Sequence, residues 1–159
     1  MKQSKHTLVT WLRDAHAMEQ ASVDNLDRLA DRLSRNPQLA VPFREHWRES
    51  VGQVERIAAC LKSLGSDTST FKDLTSRFMG IAQAYAVAVL PDEPVKDCLA
   101  AYAFKHFEIA TYVSLAAAAK ELEEPEIVRM CDEHLQQERA MASWLEQQIP
   151  GVTLEFLRP

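Results

Sequence analysis

Three glutamates stand where a helical protein would normally place apolar side chains. Glu19 lies among Leu8, Trp11, Leu12, Ala15, Leu26, Leu29, Ala30 and Leu33. At 100° per residue it falls about 20° from the centre of that apolar stripe. Glu108 is aligned in the same way with Phe104, Leu115, Ala119 and Leu122, and Glu138 with Ile127, Cys131, Met141, Leu145 and Ile149. His134 precedes Glu138 by one turn and shares its face. An ionised carboxylate centred on an apolar face is costly unless it is paired or bound to a cation.

The levels of these residues also match. Folding the chain back at Glu123 and Glu124 puts Glu108 opposite about residue 139, beside Glu138. Folding it back near Arg35 puts Glu19 opposite about residue 52, in a window holding Glu49, Ser50 and Gln53. Glu19 to Glu49 and Glu108 to Glu138 are both 30 residues apart, so the two hairpins look like halves of one pseudo-symmetric site. Carboxylates from four helices, with two histidines, hold a pair of iron or manganese ions in a bundle core. Oxygen and imidazole donors suit those ions better than a soft metal.

The expected metal ligands are therefore Glu19, His46, Glu49, Glu108, His134 and Glu138. Glu108 would bridge with Glu19 or Glu49, and Glu138 and His134 would be terminal. The second stretch is the outlier: Glu49 lies roughly 100–140° off its stripe and His46 about 80°, and the fold-back leaves His46 about 9 Å too far along the axis. The spacings are His46-x-x-Glu49 and His134-x-x-x-Glu138, without a Glu-x-x-His motif. The competing reading is a set of buried salt bridges, with Lys105, one turn before Glu108, as a partner. Tyr102, Tyr112, Trp47 and Trp144 read as core or interface.

Elements that could position these residues are legible from sparse punctuation. Helical periodicity predicts helices at about 5–35, 37–64, 70–90, 94–122 and 125–149. Asn36 can cap the second helix with Pro37 in its first turn, and Pro42 predicts a late or irregular start. Gly65 suits a left-handed cap, and Pro150-Gly151 is a break after the last helix. Tight connections at Arg35–Pro37 and Glu124-Pro125 make two antiparallel hairpins. The expected fold is all-α, one domain over residues 1–159: a ferritin-like four-helix bundle with a long crossover carrying an extra helix. A plain five-helix bundle and a swapped dimer of hairpins are the alternatives.

Composition bounds the partners. The chain has 159 residues, 47% hydrophobic and 26% charged, with a net charge of -5. These values exclude a disordered tail protein, and the absence of a basic stripe argues against nucleic acid and anionic membranes. Cys60, Cys98 and Cys131 fit no CxxC spacing and read as buried free thiols in a reducing compartment. Met1 to His6 is polar with no apolar run behind it, so a cytoplasmic protein is expected. The predicted helix 94–122 has a second apolar side, Ile109 and Val113, which calls for a homodimer or for cover by the crossover helix.

Three stretches carry a resemblance: Arg13 to Gln20, Glu45 to Ile57 and His106 to Tyr112, with Glu133 to Arg139 matching less closely. They resemble the YciE/YciF family of bacterial stress-associated ferritin-like proteins, from about Thr7 to Glu146. The resemblance implies a fold similar to rubrerythrin and bacterioferritin, dimers, and induction by stress, without implying a reaction. By position, Glu19, His46, Glu49, Gln53, Glu108 and Glu138 match the family's recurrent polar positions. Lys105, and Gln136 with Gln137, stand where members often carry carboxylates, and these changes remove negative charge from the site. The expected function is a stress-associated protein with a non-haem di-iron or di-manganese site that handles iron, oxygen or peroxide. The alternative is a metal-free helical dimer with a structural or interaction role.

Overall fold

The computed structural model describes residues 2–66 and 94–158, and the predicted helix at 70–90 lies outside the described residues. Four long helices are seen: α1 (Lys2–Arg32), α2 (Pro37–Ser63), α3 (Pro94–Glu121) and α4 (Pro125–Phe156). α1 packs on α2 and α3 on α4, and the hairpins meet through α1 against α3 and α2 against α4.

The direction of each helix follows from the two apolar cores. One joins Leu8, Leu12, Ile57, Leu61, Leu115, Ala119, Ile127 and Met130. The other joins Leu29, Leu33, Leu39, Phe43, Cys98, Ala101, Met141 and Leu145. The start of α1 thus meets the end of α3, and the end of α2 meets the start of α4, so every neighbouring pair is antiparallel. α2 ends and α3 begins at opposite ends of the bundle. The connection between them must span its length, which is the ferritin-like arrangement.

Helix ends follow local chemistry. Gly65 has φ 71, and Ser66 N–H donates to Leu61 O at 2.9 Å, closing α2 with the left-handed cap expected of glycine. Glu123 closes α3 in the same way at φ 56, with Glu124 N–H on Ala119 O at 2.9 Å. Asn36 occupies the N-cap of α2, but its side chain makes no capping bond. Its carbonyl instead accepts from Leu39 and Ala40 at 3.1 and 2.9 Å.

Two expectations about prolines are corrected. α2 starts at Pro37 and runs through Pro42, because Leu39 and Phe43 on either side are buried in the second core. α4 likewise continues past Pro150 to Phe156. Pro150 removes one backbone donor and crowds the carbonyl of Glu146, and both residues lie on the exposed side of the helix. Val152 beyond it packs into the second core and holds the last turns down.

Candidate metal centre

Between the two apolar cores lies a buried polar layer. α1 contributes Glu19 and Ser22, one turn apart. α2 contributes His46, Ser50 and Gln53, at spacings that put all three on one face. α3 contributes Lys105 and Glu108, and α4 contributes His134 and Glu138. The register between α2 and α4 is set by flanking contacts. Cys60 Sγ meets Met130 Sδ at 3.5 Å, and Phe43 packs edge-on against Trp144 at 5.8 Å. Glu138 therefore stands level with Ser50, and His46 and Gln53 reach it from about one turn on either side.

Glu19, Glu108 and Glu138 each present an oxygen within 4.8 Å of the others. The Lys105 ammonium is bound at this cluster, with Nζ 2.5 Å from Glu108 Oε2 and 2.8 Å from Glu138 Oε2. Nζ also lies 2.9 Å from His46 Nε2 and donates to Ser22 Oγ at 3.2 Å. Gln53 Nε2 donates to Glu138 Oε1 at 2.8 Å, and Tyr112 donates to Glu19 Oε1 at 2.6 Å. One lysine thus joins all four helices.

The charges sort themselves by neighbour. Burial, with the Glu138 charge, pushes Glu19 up to about 8 and holds Glu108 well above the usual carboxylate range. Burial acts on Glu138 in the same direction, but Lys105 and His46 overcome it and hold that carboxyl well below the range. Lys105 is kept charged against its burial by Glu108, Glu138 and Glu19. Glu138 is thus the ionised partner of Lys105, and beside the pair lie two carboxyl groups that burial pushes toward the neutral acid.

The remaining expected ligands are placed differently. Glu49 is 46% exposed on the outside of α2 and accepts from His46 Nδ1 at 2.8 Å. Burial and Lys105 pull His46 down, but its contacts with Glu138 and Glu49 carry it above its ordinary value. His134 is buried, its ring edge-on to Tyr112 at 5.0 Å, and neither ring nitrogen has a hydrogen-bond partner. Burial, helped by Arg56, lowers it to about 4, so it is neutral. Tyr112, expected as core or interface, is in the first core and also reaches Glu19, whereas Ser22 was not singled out. Both carried a signal, since each lies a turn from a central glutamate on the same face.

A di-metal pair in a bundle of this kind takes four carboxylates and two imidazoles. Here the inward face of α2 offers His46, Ser50 and Gln53, leaving three carboxylates at the centre. Those three could coordinate one metal ion by proximity, but two of them already bond an ammonium. As arranged, the residues do not fit a metal pair.

Comparison with known proteins agrees with the fold. A family model described as "Domain of unknown function (DUF892)" matches residues 3–158. A solved structure from Xanthomonas campestris pv. campestris is 32% identical, with TM-score 0.83, covering 98% of this chain and 96% of that one. Protein YciF of Escherichia coli strain K12 is 28% identical over 145 residues, covering 88% of this chain and 86% of that protein. The structure of the E. coli stress protein YciF superposes with TM-score 0.83 at 24% identity, over 96% of this chain and 98% of that one.

Proposed function

Because the chain belongs to the YciE/YciF family, the one described as a domain of unknown function (DUF892), we propose that it serves the bacterial stress response as a metal-free ferritin-like bundle with a structural or protein-interaction role. The observation that carries this reading is Lys105, whose ammonium bonds Glu108 and Glu138 where a metal ion would bond the same oxygens. The stress association rests on the likeness to the E. coli stress protein. The working form is a cytoplasmic homodimer, supported by Leu99 and Val113, which leave apolar surface on α3 at 43% and 47% exposure. A net charge of -5 supports partners other than nucleic acid or membrane, and among the described residues no helix is long and apolar enough to cross a membrane.

A second reading is a non-haem iron or manganese centre that handles iron, oxygen or peroxide. It is favoured by the 4.8 Å convergence of three carboxylates and by the unpartnered ring nitrogens of His134. Metal analysis of protein purified without chelator, with sedimentation, separates the two. A dimer without stoichiometric iron or manganese supports the first reading. Stoichiometric metal would replace it with the second.

A further inference from the structure

Three carboxyl groups from three helices are buried side by side, and any of them that is ionised there needs a cation to hold it. In this chain the cation is covalently attached. Lys105 is 1% exposed, and its Nζ has four polar neighbours from four helices: Ser22, His46, Glu108 and Glu138. Its partners are those a hard cation would choose, oxygens and an imidazole nitrogen. Beyond the lysine, oxygen Oε2 of Glu19 and both nitrogens of His134 are buried and lack hydrogen-bond partners, so the layer holds donor atoms that the ammonium leaves unused.

We propose that Lys105 is the built-in cation of this bundle: its ammonium occupies the position of a divalent metal ion, excludes one from the native protein, and among the described residues is what separates the layer from a manganese-binding site. The inference rests on the metal-free reading of the protein and deepens it. It assigns Lys105 two roles, tying the four helices together without metal and making the fold independent of metal supply. A lysine suits both, because its point charge and flexible stem reach the cluster without the geometric demands of a coordination sphere.

The test compares the full-length wild type with Lys105→Ala, which removes the ammonium and leaves room for an ion and its waters. Manganese binding is measured by equilibrium dialysis, and melting is followed with manganese or with chelator. The wild type should hold no stoichiometric manganese and melt at the same temperature in both media. Lys105→Ala should melt lower in chelator, bind manganese, and recover most of the lost melting temperature when manganese is added, since only the folded state assembles the site. Lys105→Met, which fills the space with an uncharged chain, should be destabilised without gaining manganese.

Stoichiometric manganese on the wild type would overturn the metal-free reading and this inference together. An empty wild type with an equally empty Lys105→Ala would overturn this inference alone. Where Lys105→Ala does not fold in chelator, refolding it from denaturant with manganese gives the same contrast by circular dichroism. Return of helix only with manganese supports the proposal. Return in neither medium overturns it, because manganese would then be unable to stand in for the ammonium.

Discussion

Lys105 of α3 and Glu138 of α4 hold each other at 2.8 Å with neither side chain more than 2% exposed. The pair joins the helices of the second hairpin to each other, and through Ser22 and His46 to the first. Its energetics are those of a buried ion pair. The pair need not be more stable than a well-packed apolar one, but breaking it strands a charge.

This separates two substitutions that look equivalent. Glu138→Gln should cost about 3–5 kcal/mol, because Lys105 loses its ionised partner inside the bundle. Glu108→Gln should cost less than about 1.5 kcal/mol, because an amide resembles the neutral acid toward which burial pushes Glu108. Urea denaturation of both variants in chelator measures the difference. Equal losses would show that the charge is shared between the two glutamates.

Tyr112→Phe should destabilise the protein by about 1–3 kcal/mol. It removes the donor 2.6 Å from Glu19 Oε1 and leaves that oxygen buried. In a chain of this size the loss appears as a fall in melting temperature of roughly 2–4 °C per kcal/mol.

His134 gives the acid limb of stability. Its folded value, about 4, lies below its ordinary 6.5, so the unfolded chain binds the proton first as pH falls. Its contribution is fully present above pH 6.5 and is lost as pH drops through 4, amounting to about 3 kcal/mol. Glu19, raised to about 8, acts with the opposite sign, weakening the fold as pH rises between about 4.5 and 8. Comparing wild type with His134→Gln removes that common term. Their stability difference should change steadily between pH 6.5 and 4 and level off above 6.5.

Glu123→Gly should stabilise the protein by about 0.5–1 kcal/mol. Glu123 holds φ 56, where a side chain costs roughly 1–2 kcal/mol and glycine nothing, less the entropy glycine loses on folding. Thermal melting under identical conditions checks the sign.

Periodicity and punctuation already specify the bundle and the inward glutamates. A carboxylate centred on an apolar stripe has nowhere else to go once the stripe is buried, and tight turns at Pro37 and Pro125 force hairpins whose levels can be counted. The same arithmetic left His46 about 9 Å away. It misled because that distance was counted to Glu19, whereas His46 meets the layer through Glu138 and Lys105 on the other hairpin. It also could not show that the ring of His46 reaches across to Glu138 rather than to Glu19. The angle of Glu49 off its stripe already pointed it outward, whereas the entry of Lys105 into the cluster is settled only by packing. A lysine stem can extend into a bundle or out to water, and helical spacing does not choose between them. The choice follows from the attraction of Glu138 and the oxygens around it, contributed by several helices, which converge only after the helices have packed.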